Sequence, residues 1–138
     1  MKRFVLDASV ALAWFVDVPV PDYAVKVQRA LMTGAKAVVP ALWHLEMANG
    51  FAMAERRRIL APRDVTASLV QVERLSSHIE TDQRLFSIRR ALDPARACQL
   101  SAYDATYFEI ARIEGLPLAT LDRQLRNAAS LAGITLFH

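Results

Sequence analysis

The chain has 138 residues, 54% of them hydrophobic, and its 17 Lys and Arg residues against 14 Asp and Glu residues give a formal net charge of +3. This length predicts a single domain, residues 1–138, with enough apolar material for a compact core. The apolar stretch at 5–16 contains Asp7 and Ser9 and is shorter than the roughly 20 residues that cross a bilayer, so we expect no membrane span. Cys98 is the only cysteine, which excludes an internal disulfide and favours a reducing, cytoplasmic location.

Short apolar segments alternate with helical segments along the chain. In chain order the pattern predicts a strand at 4–6, helices at 8–15 and 23–33, a strand at 37–39, helices at 42–57 and 62–77, a strand at 79–81, helices at 83–99 and 102–115, a strand at 118–120, a helix at 123–131 and a strand at 134–137. Asp22 and Ser101 are the expected N-caps of two helices, and Pro94 is expected to kink or split the helix at 83–99. The alternation predicts an α/β fold, a three-layer α/β/α sandwich around a mostly parallel sheet of about five strands.

Asp7 and Asp122 each follow an apolar strand segment and precede a helix. Ligands of open parallel sheets bind at the carboxyl ends of the strands, so both side chains are candidate site residues. An Asp in front of a helix is also a good N-cap, worth about 1 kcal/mol. This structural role remains an alternative for each of the two.

Glu46 and Asp104 lie within helical segments that carry apolar faces. Trp43 precedes Glu46 by three residues, which indicates that Glu46 faces inward. A buried carboxylate without a partner costs several kcal/mol, so Glu46 needs a cation, a proton or several hydrogen bonds. Asn49, one turn further on, is a candidate supporting group. Asp104 precedes two aromatic residues by one turn, but its spacing from Ser101 also fits a capping box.

Together, these four acids would form one anionic pocket in which mutual repulsion is costly. Hard divalent cations with oxygen ligands remove that cost, and their chemistry is the activation of phosphoryl oxygens. We therefore expect a Mg²⁺ or Mn²⁺ site built from Asp7, Glu46, Asp104 and Asp122.

The segments around these acids resemble the PIN-domain family. The resemblance is carried by FVLDAS at 4–9, VPAL at 39–42, EMAN at 46–49, SAYDA at 101–105 and LATLD at 118–122. It extends over essentially the whole chain, with the motifs in order. A stand-alone domain of this length is similar to the VapC-type toxins of bacterial type II toxin–antitoxin pairs.

The resemblance implies a Mg²⁺- or Mn²⁺-dependent endoribonuclease in which the acidic quartet holds metal that activates water for RNA cleavage. Ser9 and Thr120 match positions of supporting groups. The resemblance further implies a homodimer and inhibition by a small VapB-type antitoxin, whose tail we expect to dock over the acidic pocket with a cation.

Fourteen of the 17 basic residues are arginine, whose guanidinium groups suit bidentate phosphate contacts. Arg56, Arg57 and Arg58 are therefore candidate RNA contacts. They also stand at the predicted end of a helix, where cations complement the helix dipole. Both interpretations remain open.

Two alternatives to a nuclease remain. A receiver-like phospho-acceptor module also places acids at strand ends, but its chemistry requires a lysine on a late strand, and the lysines here are Lys2, Lys26 and Lys36. The second alternative is a non-catalytic nucleic-acid-binding module, in which the acids serve only as caps and structural partners.

Overall fold

The computed structural model describes residues 2–138, in which seven α-helices and one short 3₁₀ helix (Ser76–His78) accompany a four-stranded sheet. The strands are β1 (Arg3–Leu6), β2 (Lys36–Pro40), β3 (Ile79–Asp82) and β4 (Leu118–Ala119). The helices are α1 (Ala8–Val16), α2 (Asp22–Met32), α3 (Leu42–Arg56), α4 (Pro62–Arg74), α5 (Ile88–Cys98), α6 (Ala102–Glu114) and α7 (Arg123–Leu131). Residue 1 of the predicted domain lies outside the described residues.

The sheet is parallel, with the strand order β3-β2-β1-β4. Strand β1 lies inside the sheet, where Val5 pairs with Val38 on one side and with Leu118 on the other. Phe4, Val5 and Leu6 are all fully buried. Because successive strand residues point to opposite faces, this run shows that both faces of the sheet are covered. The predicted α/β architecture with a parallel sheet is confirmed.

The predicted fifth strand at 134–137 is not a strand in the structure. Leu136 forms an isolated parallel bridge with Leu118, supported by hydrogen bonds from Leu118 N to Thr135 O and from Phe137 N to Leu118 O, both 2.9 Å long. Strand β4 is two residues long. It therefore offers the segment at 134–137 too few backbone groups to pair with as a full strand.

The helix predicted at 83–99 begins later, at Ile88, because Ser87 is its N-cap and accepts a 3.2 Å hydrogen bond from Arg90 N. Pro94 lies within an uninterrupted α5 and does not split it. Helix α5 contains no buried residue among those described, so the carbonyl that loses its partner at Pro94 can bond to water. Helix α2 starts at Asp22 itself, after Pro21 as N-cap, and α4 ends at Arg74 before the 3₁₀ helix.

Three helices surround the carboxyl end of β1. Helix α1 follows β1 directly, α3 packs against α1, and α6 packs against β1 and β2. The buried positions of α3 are Trp43, Met47, Phe51 and Ala54, a helical spacing that places one face against the core. Within residues 2–138, no helix is both long enough and apolar enough to cross a bilayer.

Candidate active site

Asp7 stands directly after β1 and is 4% exposed. The register pairs Leu6 with Ala119, so the next residues along the two strands, Asp7 and Thr120, lie side by side. Thr120 Oγ1 donates a 2.7 Å hydrogen bond to Asp7 Oδ2, and Ser9 Oγ donates a second one of 2.6 Å to the same atom. Asp7 occupies the N-cap position of α1, but its side chain makes no capping hydrogen bond. The carboxylate is thus held by two hydroxyl groups and does not serve as a cap.

Asp122 does act as a cap. It is the N-cap of α7, and its Oδ1 accepts a 3.2 Å hydrogen bond from Gln124 N. The structural role considered for this residue therefore exists, and it leaves the second carboxylate oxygen available to other partners.

Glu46 is half-buried on α3 and is held by a residue from another helix. The Tyr107 hydroxyl, fully buried on α6, donates a 2.6 Å hydrogen bond to Glu46 Oε1. Asn49, the supporting group expected from the sequence, forms no hydrogen bond with Glu46 among the described residues. Tyr107 is a supporting residue that the sequence pattern does not indicate directly. The available signal was its position one turn after Asp104 on the same helix.

Asp104 lies in the first turn of α6, where its backbone N donates a 3.0 Å hydrogen bond to Ser101 Oγ. A complete capping box also needs a bond from Ser101 N back to the Asp104 carboxylate. Within residues 2–138, Ser101 N makes no hydrogen bond to the Asp104 carboxylate. The Asp104 carboxylate is therefore not used for capping.

The four acids line one cavity of about 370 Å³ at the carboxyl end of β1. We call it the carboxylate cavity. Six of the residues predicted for the site line it: Asp7, Ser9, Glu46, Asn49, Asp104 and Asp122. Thr120 does not line it but supports Asp7 by a hydrogen bond. The structure thus brings together carboxylates that come from four separate parts of the chain.

The cavity raises the pKa of three of its carboxyl groups. Burial raises the pKa of Asp7 against the lowering effect of Ser9 and Thr120, and burial raises the pKa of Glu46 against the hydrogen bond from Tyr107. The pKa of Asp104 is raised to about 7, first by burial and then by the negative charges of the other three acids. These groups are therefore placed where a positive charge would be strongly favoured.

The donor set fits a hard divalent cation, since every candidate ligand is a carboxylate oxygen. Within residues 2–138, no three Asp, Glu, His or Cys side chains are already gathered around a single point. Two of the acids accept hydrogen bonds from protein hydroxyl groups, Asp7 from Ser9 and Thr120 and Glu46 from Tyr107. An open arrangement of this kind suits Mg²⁺, which retains several waters and takes few protein ligands.

The three consecutive arginines lie outside the carboxylate cavity. Arg56 Nη1 is 3.7 Å from Met53 Sδ, and Arg58 adopts a left-handed backbone with a φ of 58°. Arg57 lines a neighbouring groove between α1 and α3. All three arginines are candidate RNA contacts by sequence. In the structure, Arg57 lines this groove, whereas Arg56 and Arg58 do not.

Comparison with solved structures identifies a similar fold. The crystal structure of PAE2754 from Pyrobaculum aerophilum matches with a TM-score of 0.67 over 92% of this chain and 84% of that chain, at 21% sequence identity. At this identity the likeness concerns the fold alone. Comparison with curated proteins gave no match. The PIN domain family matches residues 4–131, a span that contains all four carboxylates, and the chain therefore belongs to the PIN domain family.

Proposed function

We propose that this PIN domain is a Mg²⁺- or Mn²⁺-dependent endoribonuclease whose metal ligands are Asp7, Glu46, Asp104 and Asp122. PIN domains are grouped as metal-dependent nucleases. The observation that supports the assignment to these residues is the convergence of the four carboxylates in one cavity.

Three of the four acids have distinct tasks in this proposal. Ser9 and Thr120 fix the orientation of Asp7, and Tyr107 fixes that of Glu46, so two ligands are positioned before any ion binds. The pKa of Asp104 is raised to about 7, and this carboxyl must lose its proton before it can bind a cation. When bound, Mg²⁺ or Mn²⁺ supplies positive charge for the scissile phosphate and lowers the pKa of water.

Metal-dependent RNA cleavage is the direct test. We expect wild-type protein to cut single-stranded RNA with Mn²⁺ or Mg²⁺ and to lose this activity in EDTA. Asp7→Asn and Asp104→Asn should each abolish cleavage, whereas Asp93→Asn, at an exposed carboxylate outside the cavity, should not. Wild-type activity in Asp104→Asn would contradict the assignment.

A calorimetric Mn²⁺ titration separates the nuclease from the non-catalytic module. Binding that disappears in Asp7→Asn supports the proposed site. Absence of both Mn²⁺ binding and RNA cleavage would favour a module in which the acids are structural. DNA of the same sequence, assayed in parallel, tests whether the enzyme selects the ribose.

We also propose that the protein is the VapC-type toxin of a type II toxin–antitoxin pair, acts as a homodimer and is inhibited by a VapB-type antitoxin. The resemblance of its motifs to VapC-type toxins supports this role. In the proposal, the antitoxin's tail covers the carboxylate cavity with a cation. Expression in bacteria should arrest growth with the wild type but not with Asp104→Asn, and light scattering should give twice the mass of the chain.

A further inference from the structure

A second concavity adjoins the carboxylate cavity. It is a groove of about 320 Å³ between α1 and α3. Ser9, Leu12 and Gly50 line both spaces, so the groove and the cavity share a wall. A ligand bound in the groove would therefore lie directly beside a ligand bound in the carboxylate cavity.

The shared wall depends on close packing of α1 against α3. A Cβ atom added at Gly50 would lie 2.4 Å from Leu12 Cδ2 and 2.6 Å from Leu12 Cδ1. Gly50 thus allows the two helices to approach, with Leu12 filling the space between them. This contact sets the boundary between the groove and the cavity.

The lining of the groove combines an apolar surface with one cation and one anion. Its apolar part includes Val16, Met53 and Ile59, of which Ile59 is 52% exposed. Arg57 and Asp17 also line it, and both are exposed. A flat apolar ring can cover such a surface, while the guanidinium group binds a phosphate and the carboxylate accepts hydrogen bonds from exocyclic amino groups.

We propose that this groove binds the nucleotide of a single-stranded RNA that adjoins the phosphate in the carboxylate cavity. Its base lies on Met53 and Ile59, and its phosphate pairs with Arg57. The inference rests on the proposed nuclease function, because the neighbouring cavity is taken as the place of the scissile phosphate. It makes Arg57 a substrate-binding residue and gives Arg56 and Arg58 no part in this subsite.

The location of the groove favours a nucleotide over a polypeptide segment. An RNA strand that enters the carboxylate cavity must continue past its rim, and the shared wall of Ser9, Leu12 and Gly50 leads into this groove. A volume of about 320 Å³ lies at the small end of the range for ligand pockets, which suits one nucleotide.

RNA binding can be measured without cleavage. A short fluorescein-labelled single-stranded RNA of mixed sequence is titrated in EDTA with Asp104→Asn protein, in which one negative charge beside the groove has been removed. In this background, Arg57→Ala should weaken binding about tenfold, as expected for loss of a charged hydrogen bond. It should also reduce the salt dependence of binding by about 0.7 in log–log slope. Arg89→Ala, at an exposed arginine that lines neither space, is the matched control and should retain both values.

A second variant with its own control tests the apolar surface of the groove. Ile59→Ala should weaken RNA binding about threefold through lost contact area. Ile113→Ala, at a partly exposed isoleucine on α6, should leave binding unchanged. RNA that carries 4-thiouridine should cross-link to the peptide spanning 53–59 upon irradiation.

The outcomes for the groove and for the proposed function are separable. If wild-type protein cleaves RNA but Arg57→Ala and Ile59→Ala bind like their controls, the subsite is wrong and the nuclease stands. If RNA cross-links to 53–59 but no metal supports cleavage, the groove binds RNA without an adjoining scissile phosphate, and the nuclease is wrong. Cross-links confined to other segments would show that RNA does not bind in the groove. The groove would then bind another ligand, such as a polypeptide.

Discussion

The Tyr107 hydroxyl donates a hydrogen bond of 2.6 Å to Glu46 and thereby links α6 to α3 across the interior. Tyr107 is fully buried and lies on the same helix as Asp104. A single helix therefore supplies one carboxylate to the cavity and fixes the orientation of another.

Tyr107→Phe tests this link. Loss of a hydrogen bond to a charged group removes about 1.5–3 kcal/mol of interaction, so we expect RNA cleavage to fall about tenfold or more. Since the hydrogen bond from Tyr107 lowers the pKa of Glu46, its removal should also shift Mn²⁺ binding to higher pH. Calorimetric Mn²⁺ titrations at several pH values provide the measurement.

Tyr103→Phe is the matched control, because Tyr103 is 66% exposed and its hydroxyl makes no hydrogen bond among the described residues. It should retain wild-type cleavage and metal affinity. Equal behaviour of the two variants would show that the Tyr107 hydroxyl has no role in positioning Glu46.

Asp104→Asn should stabilise the metal-free protein at pH 8 while abolishing cleavage. Burial and neighbouring negative charges raise the pKa of Asp104 to about 7, so its ionised form is unfavourable in the folded state. After allowance for solvent screening at this half-buried group, we expect a gain on the order of 1 kcal/mol. Thermal unfolding in EDTA measures it, with Asp93→Asn as the control. A less stable Asp104→Asn would show that repulsion in the cavity is not a cost.

The stability of the metal-free protein should fall as the pH rises from about 4 to above 7. In this range the unfolded chain has already lost the Asp104 proton, since the ordinary pKa is 3.8, while the folded chain retains it up to about 7. The folded state therefore binds more protons, and the free energy of unfolding decreases with pH. Burial raises the pKa of Asp7 and Glu46 in the same direction.

Urea unfolding midpoints between pH 4.5 and 8 in EDTA check this expectation. Saturating Mn²⁺ should reverse the trend, because the ligands bind as carboxylates and the ion stabilises by about 2.7 kcal/mol at a hundredfold excess over its dissociation constant. A midpoint that rises with pH in EDTA would contradict the raised pKa values.

Gly50→Ala should disturb the wall between the cavity and the groove. The added methyl group meets Leu12 at 2.4 Å, and overpacking of this kind costs about 1–3 kcal/mol. A gain of about 0.5–1 kcal/mol in helix propensity offsets part of that loss. Because the displaced atoms are the end of the flexible, partly buried Leu12 side chain, the cost lies at the low end of this range, and we expect a net destabilisation below about 1 kcal/mol in chemical denaturation.

The double variant Leu12→Ala, Gly50→Ala provides the control for this clash. It should lose less stability than the sum of the two single variants, because the methyl group at 50 then occupies space that Leu12 has vacated. Additive losses would show that the two side chains do not compete for the same space.

Local sequence pattern was sufficient to predict where each acid lies on its element. Asp7 follows a buried strand, and Glu46 and Asp104 lie on helices with apolar faces, so their placement needs only strand and helix periodicity. That all four meet depends on β1 and β4 being neighbours, which an alternating α/β pattern favours but does not specify. The bond from Tyr107 to Glu46 was missed because it joins two helices across 61 positions, and the position of Tyr107 one turn after Asp104 indicates its face but not its partner.

The incorrect boundaries have two different physical causes. The segment at 134–137 has the composition of a strand, but a strand needs a partner edge, and β4 is two residues long. Helix α5 was predicted to begin at 83 because 83–87 contains helix-compatible residues, whereas the Ser87 cap determines the actual start. The first outcome depends on a distant strand edge, whereas the second depends on a local side-chain cap that helix periodicity alone does not show.

The hydrogen bond between Thr120 and Asp7 joins residues that are 113 positions apart. On the ribosome, Asp7 and Ser9 are made well before Thr120, the second hydroxyl that holds Asp7, and before Asp122, the fourth carboxylate. An unfinished chain that ends before Thr120 cannot assemble the cavity. The complete acidic set can therefore assemble only after Thr120 and Asp122 have left the ribosome, more than a hundred residues after Asp7.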